Sequence, residues 1–361
     1  MDFSLTSDQR LMQASLAGTL SRVCTLDQVR AYARAEGDAR DVWNALTDLG
    51  APGVMIPEEF GGLGLGLLDA ALIAEGLGGF VAPTPFLSSA ILAPLALMMA
   101  GSPALQAEWL PGLAAGQTVA GVAIGEAISG ARDGSGIVAR HGRLTGKSLF
   151  TLDCDGADLV IVASTDGAIH LVRTDAPGFE SHSVTTIDLT RRLGELRLNE
   201  TPAAPLAADD SGAGLARLRD AAWIALGADM LGACDAMILK AVAYAKERQQ
   251  FGRVIGSFQA VKHLCAEMAA EVEPCRALIW YAAYAFDALP AEVSLIAAHA
   301  KAHLSEVSRF VARTATEVHG GIGITDLLGL HYWFKRVGLD RQLLGGPERV
   351  REMAAKMQGF V

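Results

Sequence analysis

The chain has 361 residues, 51% of them hydrophobic, and its 30 basic and 40 acidic side chains give a formal net charge of −10. This length allows two or three domains with sizeable cores, which excludes a peptide hormone or a disulfide miniprotein. The negative charge argues against a protein that coats nucleic acid, so any anionic ligand must meet a local basic pocket.

Two changes of hydrophobic period divide the chain. Up to about residue 116, apolar side chains recur at three and four residues, with Gly and Pro turns at 50–53 and 61–62. We therefore predict an N-terminal α-helical domain over residues 1–117. From about residue 118 the period falls to two, which predicts a central β domain over 118–208. Its most β-rich runs are 119–124, 159–163, 169–172 and 196–198.

The helical period returns after a linker of Asp209, Asp210, Ser211 and Gly212. Long helices with shared apolar faces indicate a bundle, so we predict a C-terminal helical bundle over 209–361. The predicted helices are roughly 215–247, 258–286, 291–319 and 347–357. The predicted fold class is thus α+β and multidomain, with a four-helix bundle at the C-terminal end.

The sequence also bears on the compartment of the protein. The longest apolar stretches, such as 82–100, are interrupted by prolines, so no membrane helix is predicted. The first residues lack a basic segment followed by an apolar one, and a cytoplasmic location is the expectation. The five scattered cysteines include no C-x-x-C pair, which favours reduced, buried, structural thiols.

Two segments near the ends of predicted helices stand out. Residues 247–259 read Glu-Arg-Gln-Gln-Phe-Gly-Arg-Val-Ile-Gly-Ser-Phe-Gln, and residues 317–325 read Glu-Val-His-Gly-Gly-Ile-Gly-Ile-Thr. Taken alone, the first segment fits an arginine at a helix C-terminus with Gly252 as the cap. The second has more glycines than a helix stop needs, and such glycines let a backbone offer N–H groups to phosphate or ribose oxygens.

Together with residues 57–64 (Pro-Glu-Glu-Phe-Gly-Gly-Leu-Gly), these segments make the chain resemble the acyl-CoA dehydrogenase family. Members are flavoenzymes that oxidise acyl-CoA thioesters to enoyl-CoA. The resemblance implies the same order of domains, with a barrel or sandwich as the central β domain. Residues 190–193 (Thr-Arg-Arg-Leu) and 319–325 are most similar to the branch that acts on CoA thioesters of steroid side chains.

The resemblance implies FAD as the cofactor, bound between two subunits. One subunit supplies a β-domain wall beside the flavin ring, and its neighbour reaches across to the pyrophosphate and adenosine. The reaching contacts correspond to Arg248, Phe251, Ile255, Gln259, Gly320 and Gly321. Arg248 offers a forked cation to phosphate, Phe251 an apolar face and Gln259 both a donor and an acceptor. Glu317 is a departure, because the family often has Gln there.

The flavin wall departs further from the family pattern. Residues 125–132 (Gly-Glu-Ala-Ile-Ser-Gly-Ala-Arg) stand where the family usually has Thr-Glu-Pro followed by Gly-Ser-Asp. Residues 149–152 (Leu-Phe-Thr-Leu) replace an aromatic pair followed by an aliphatic residue and a hydroxyl residue. Thr151 lies one residue from the hydroxyl position and is expected on the opposite face of its strand.

The catalytic base is also missing at the expected positions. The family uses a Glu carboxylate to remove the substrate α-proton while hydride leaves the β-carbon, and the two family positions correspond to Gly345 and Ala222. No catalytic residue is therefore assigned. Of the nearby acids Asp220, Asp229 and Glu348, Asp220 is expected to point away from Ala222 around the helix.

Histidines provide no stronger site. His331 and Trp333 are interpreted as helix packing and surface, and His299 with His303 has a metal-compatible i, i+4 spacing without a third ligand nearby. We therefore predict no metal site.

The leading hypothesis is the base-lacking subunit of a heteromeric acyl-CoA dehydrogenase. A homologous subunit would carry the Glu, two chain types would form a tetramer, and electron-transfer flavoprotein would be the acceptor. An acyl-CoA is the expected substrate, with no nucleic acid and no membrane insertion. The alternatives are an active homo-oligomer with a displaced base such as Glu348, and a flavin-free scaffold or binding protein of the same fold.

Overall fold

The computed structural model describes residues 4–37, 39–132, 134–206 and 212–360. The helices are Ser7–Val23 (α1), Leu26–Ala33 (α2), Arg40–Asp48 (α3), Leu67–Gly79 (α4), Ala93–Ala100 (α5), Pro103–Ala114 (α6), Gly125–Ser129 (α7), Ala213–Glu247 (α8), Gln259–Ala288 (α9), Val293–His319 (α10), His331–Gln342 (α11) and Pro347–Met357 (α12). The strands are Ala120–Ala123 (β1), Gly136–Arg140 (β2), Arg143–Leu152 (β3), Leu159–Ala163 (β4), Ile169–Arg173 (β5), Phe179–Val184 (β6), Leu193–Pro202 (β7), Ala204–Pro205 (β8), Gln249–Gln250 (β9) and Arg253–Val254 (β10).

Local sequence signals set the starts of the N-terminal helices. Thr6 and Thr25 each begin a helix with a capping box, in which the hydroxyl accepts from a backbone N–H and a Gln three residues on returns a bond. Further along, α4 packs against α8 at glycines. A Cβ on Gly78 would lie 2.0 Å from the Asp229 carbonyl, and one on Gly232 would lie 1.7 Å from the Glu75 carbonyl. These two helices therefore approach each other closely.

Eight strands form one mixed sheet. Its order is β6-β7-β3-β1-β4-β5-β8, with β2 paired to β3, and β1 runs parallel to β4 while the other neighbours are antiparallel. Every residue of β1 and β4 is buried, which suits apolar strands covered on both faces. Between the pairs Ser148↔Leu196 and Thr151↔Gly194, β3 carries one extra residue, a β-bulge.

The predicted fold class is confirmed: helices come first, a sheet domain follows, and a helical region ends the chain. The domain limits 1–117, 118–208 and 209–361 stay predictions, and residues 209–211 of the predicted linker lie outside the described residues. Two kinds of element were not predicted. The C-terminal region contains α11 beside the four predicted helices, and the strands β2, β3, β6, β8, β9 and β10 were missed.

The longest helix, α8, has the length and apolar composition of a membrane-crossing helix, unlike the interrupted stretches considered above. In its most apolar window of 18 residues, 78% of the residues are buried inside the protein. Core helices of globular proteins have the same character, so the helix is weak evidence for a membrane.

A buried ionic cluster joins the three regions. Arg191, just before β7, donates to Asp340 of α11 at 2.7 Å and to Asp229 of α8 at 3.0 Å. Arg336 of α11 donates to the same Asp229 and to the hydroxyl and carbonyl oxygens of Thr190. It also donates to the carbonyl of Ala82, just beyond α4. The Thr190–Arg191 motif is therefore the joint between sheet and bundle.

Candidate cofactor site

The segment after α8 is a β-hairpin. Strands β9 and β10 pair, with Phe251 (φ +52°) and Gly252 (φ +76°) as the two turn residues. Two consecutive positive φ values are typical of the tight hairpin turn, which explains the glycine. Gly252 is thus a turn residue. It does not cap α8, which is the role that the segment predicts when it is considered alone. The N–H of Ile255 donates to the Arg248 carbonyl at 2.7 Å and closes the loop.

The hairpin presents its motif residues to solvent. Phe251 is 91% exposed and touches Phe258 edge-on, with ring centroids 6.1 Å apart. Arg248 at the end of α8 and Gln259 at the start of α9 are also exposed. A phenyl ring this exposed, on a backbone conformation that disfavours non-glycine residues, makes Phe251 a candidate for contact with another molecule.

The glycine segment follows α10 at the same end of the bundle. Gly320 (φ +62°) caps the helix, and Gly320–Ile324 forms a 3₁₀ turn. Tyr244, one helical turn before Arg248, packs on His319 with ring centroids 4.8 Å apart. The ends of α8 and α10 are thereby fixed to each other. Burial lowers the pKa of His319, which favours the neutral ring.

These residues fit the phosphate end of a dinucleotide. Within the part of the chain that the structure describes, no heavy atom other than those of the glycine and its two chain neighbours lies within 4 Å of a Cβ placed on Gly320 or Gly321. The backbone there can be approached closely by a ligand. Arg248 would supply the forked cation and Phe251 the apolar face. Glu317, the departure from the family pattern, is exposed on the last turn of α10. An acidic side chain therefore lies next to the glycine segment.

The corresponding flavin wall of this chain is a separate cleft. It has a volume of about 270 Å³ and lies between the α7 region and the end of α11. The Glu126 carboxylate accepts a hydrogen bond from the Ser148 hydroxyl at 2.7 Å and from the Leu149 N–H at 2.6 Å. The Glu126 carboxylate of this wall is therefore satisfied by hydrogen bonds within the chain.

The bulge in β3 determines which side chain reaches this cleft. Phe150 (φ +56°) lines the cleft and is 52% exposed, while Thr151 is buried. Leu152, at the hydroxyl position of the family pattern, is buried as well, so the expected orientation of Thr151 stays a prediction. From residues 149–152 the cleft is lined by Leu149 and Phe150, which stand at the two aromatic positions of the family pattern.

Neither expected base position holds an acid. Ala222 is fully buried in α8, and Gly345 is buried with φ +108° between α11 and α12. Trp223, next to Ala222, donates its indole N–H to the Leu344 carbonyl at 2.9 Å. This bond brings the two expected base positions to the same region of the fold.

The nearby acids are engaged elsewhere. Asp220 points away from Ala222, as expected, and pairs with Arg219 and the Ser294 hydroxyl. Burial alone would raise the pKa of Asp229, but Arg336 and Arg191 hold it below its usual value. Glu348 is exposed at the start of α12, 3.4 Å from Arg341. Each of these acids has a structural partner.

The remaining candidates behave as packing or surface groups. Trp333 is buried and donates to the Gly79 carbonyl at 2.9 Å, and His331 stacks on Tyr332. His299 and His303 are exposed on α10. The described residues contain no group of three or more His, Cys, Asp or Glu side chains that could hold a metal. All five cysteines are free and four are buried.

Sequence models of the acyl-CoA dehydrogenase N-terminal and C-terminal domains match residues 6–117 and 220–358. The acyl-CoA dehydrogenase IpdE2 of Mycolicibacterium smegmatis is 33% identical over 98% of this chain and 100% of its own length. The chain belongs to the acyl-CoA dehydrogenase family. It is thus a member of a family of oxidoreductases that act on CH–CH groups and bind FAD.

Two solved acyl-CoA dehydrogenase structures extend the likeness to assemblies of two chain types. The Tcur3481-Tcur3483 steroid ACAD, solved as a G363A variant, is 29% identical with a TM-score of 0.88 over 98% of both chains. The ChsE4-ChsE5 complex from Mycobacterium tuberculosis is 28% identical with a TM-score of 0.89 over 99% of both chains. The resemblance to the steroid branch seen in the sequence is thereby supported.

Sequence reasoning missed two features of this acyl-CoA dehydrogenase site. The pairing of Glu126 with Ser148 was not anticipated, and neither was a contact of Arg30 and Arg34 with Asp326, described below. These contacts join residues 22 to 296 positions apart and have no local spacing signal. The departures from the family pattern around Glu126 were the available hint for the first.

Proposed function

We propose that this chain is the base-lacking subunit of a heteromeric acyl-CoA dehydrogenase. Its Arg248, Phe251, Ile255, Gln259, Gly320 and Gly321 would reach across to FAD that lies against the β-domain wall of a homologous subunit. That subunit would carry the Glu that removes the substrate α-proton. The assembly would be a tetramer of two chain types, because a shared cofactor has no complete site on a monomer.

One contrast carries this proposal. Five of the six motif residues that would reach a neighbour's cofactor are open to solvent at one end of the bundle, and Ile255 is half-buried. In the same chain, the Glu126 carboxylate of the wall is bonded to Ser148 and Leu149, and both expected base positions lack a carboxylate. Half of a shared site is therefore retained and the other half is not.

We propose the substrate and the electron acceptor by analogy with related proteins. The similarity to a steroid ACAD supports a bulky, steroid-derived acyl-CoA, with a fatty or branched acyl-CoA as the alternative. We also propose electron-transfer flavoprotein as the acceptor and the cytoplasm as the location. Screening acyl-CoAs of different bulk with the reconstituted complex and an artificial acceptor would test the substrate. A strong preference for linear chains would contradict the steroid proposal.

The decisive experiment is to purify the chain alone and together with its homologous subunit. We expect colourless protein from the lone chain, and yellow protein that dehydrogenates acyl-CoA from the pair. FAD content per complex and steady-state turnover are the two measurements. Glu348→Gln in this chain is the matched control, and it should leave the turnover of the pair unchanged.

The other outcomes identify the alternatives. Flavin-bound turnover by the lone chain, lost in Glu348→Gln, would indicate a homo-oligomer with a displaced base. A colourless pair whose subunits still associate would indicate a flavin-free scaffold. Either result would contradict the base-lacking assignment.

A further inference from the structure

The glycine segment continues into a turn that is held by the N-terminal helix α2. Arg30 donates from Nη2 to the carbonyl oxygens of Asp326 and Leu327, the latter at 2.7 Å. Arg34, one helical turn on, donates to the Asp326 carboxylate at 2.9 Å. Hydrogen bonds from a charged guanidinium are the stronger kind, so the turn is firmly attached to a helix some 300 residues away in sequence.

Packing reinforces these bonds. Gly329 has φ +69°, and a Cβ there would lie 2.6 Å from Cδ1 of Leu26. Leu26, Arg30 and Arg34 are spaced by four residues and share one face of α2 or its end. This face forms a clamp on residues 326–329, which we call the α2 clamp.

The α2 clamp fixes the far end of the glycine segment. The near end is fixed by α10 and by the packing of Tyr244 on His319. Residues 320–325 therefore span two anchored points, which restricts a run that contains three glycines. Restricting a binding loop before the ligand arrives lowers the entropy lost on binding.

The clamp also places charged groups at this end of an acidic chain. Arg30 is close enough to Lys240 to lower the pKa of that ammonium, although burial of Lys240 is the larger cause. Lys240 lies over the Trp333 ring at 4.5 Å. Arg30 and Arg34 are themselves paired with Asp27 and Asp326, so the α2 clamp contributes attachment of the turn more than free positive charge.

We propose that Arg30, assisted by Arg34, is a positioning residue for the cofactor: it holds the segment Gly320–Ile324 in the conformation that receives the FAD diphosphate. This proposal rests on the proposed function above. Arg30 would act through the backbone and would not touch the cofactor itself, because its guanidinium is engaged by the two carbonyl oxygens.

Hydrogen exchange of the flavin-free chain tests the positioning directly. Arg30→Ala should speed amide exchange in peptides covering residues 320–328 by roughly tenfold, since the bonds that anchor the turn are lost. Arg30→Lys keeps the charge but loses the fork, and should give an intermediate rate. Arg22→Ala, on the exposed last turn of α1, is the matched control and should change nothing in these peptides.

FAD titration of the complex with its homologous subunit tests the consequence. Arg30→Ala should weaken FAD affinity about three- to tenfold with only a small decrease in melting temperature, because the segment must now be ordered on binding. Unchanged exchange at 320–328, or faster exchange with unchanged FAD affinity, would overturn the proposal.

The variant Arg248→Ala distinguishes a failure of the positioning role of Arg30 from a failure of the shared-cofactor function. If Arg248→Ala weakens FAD binding and Arg30→Ala does not, the positioning role alone is wrong. If neither variant changes FAD binding, the shared-cofactor function fails, and the role of Arg30 fails with it.

Discussion

Individual side chains of this protein include exposed ones at the proposed contact surface and buried ones whose surroundings change their chemistry. Arg248 and Phe251 are exposed. Asp153, in contrast, is a carboxylate buried at the start of the loop after β3, with the Ser88 hydroxyl 2.5 Å from its Oδ2. Each of these residues permits a test that a variant of one side chain can decide.

Arg248→Ala should leave the subunit folded and lower the FAD occupancy of the complex. The residue lies at an exposed helix end, so its loss removes little packing, whereas a charge-assisted contact to phosphate would cost about tenfold or more in affinity. Bound FAD per complex and the melting temperature should be measured together. An unchanged FAD ratio with a slightly lower melting temperature would leave Arg248 as a helix-terminus cation only.

Asp153→Asn should stabilise the protein more at pH 8 than at pH 4.5. Burial raises the pKa of Asp153 to about 6, against the hydrogen bond from Ser88, which lowers it. The stabilising effect of protonation is therefore present at low pH and lost as the pH rises through 6. The difference in unfolding free energy between low and high pH should be about 3 kcal/mol for the wild type. Asn keeps an acceptor for the Ser88 hydroxyl but does not ionise, so the variant should lack this difference.

Thermal unfolding of both proteins across this pH range would measure the difference. The exposed neighbour Asp155 is the control, since Asp155→Asn should follow the wild type at each pH. A difference that does not grow with pH would show that Asp153 is not a buried ionisable group.

At the scale of elements, the close approach of α4 and α8 makes a sharp prediction. Gly232→Ala should destabilise the protein by about 3 kcal/mol or more, because its Cβ would fall 1.7 Å from the Glu75 carbonyl, a backbone atom that cannot move alone. Gly338→Ala is the opposite case. Gly338 is exposed within α11, and among the described atoms none lies within 4 Å of its Cβ position.

Alanine at position 338 should therefore stabilise α11 by about 0.5–1 kcal/mol. Urea unfolding of the two variants would measure both effects. Equal destabilisation by the two substitutions would contradict the close helix contact.

The elements also show what the sequence could and could not predict. Strands β1, β4 and β5 were found because they are apolar runs bounded by turn residues. Strand β6 was missed because its side chains are mostly polar and solvent-facing, and β3 because its bulge breaks the period of two. Helix α11 was missed although it is one residue longer than α12, because two of the five buried residues on it, Arg336 and Asp340, are charged and interrupt the apolar period.

For the candidate site, too, the sequence could predict only features that are contiguous in the chain. Arg248, Phe251 and the glycines could be proposed from local motifs, because each motif is contiguous in sequence. The α2 clamp could not, because Arg30 and Leu327 are 297 positions apart and meet only through the fold. The role of the Thr190–Arg191 motif as a joint was equally invisible, since its partners Asp229 and Asp340 lie on two later helices.

At the scale of the whole molecule, the buried ionic cluster holds the sheet against the bundle. Arg191→Ala should destabilise the protein by about 3–5 kcal/mol, because it removes a cation from the buried carboxylates of Asp229 and Asp340. Calorimetry should then show the melting transition broaden or split as the sheet and the bundle lose their joint. Arg197→Ala, an exposed arginine paired with Glu195 on the same strand, should have little effect.

A single, equally sharp transition at a lower temperature would mean that the cluster adds stability without coupling the domains. An unchanged transition would mean that the buried pairs contribute nothing.

The backbone at Gly345 has an evolutionary consequence. A change from glycine to glutamate can require only one nucleotide, so a carboxylate could arise here by a single mutation. At φ +108°, however, a residue with a side chain is strained by about 1–3 kcal/mol. A glutamate at this position would therefore be accommodated best after a second change, in the loop from α11 to α12, had relieved the strain.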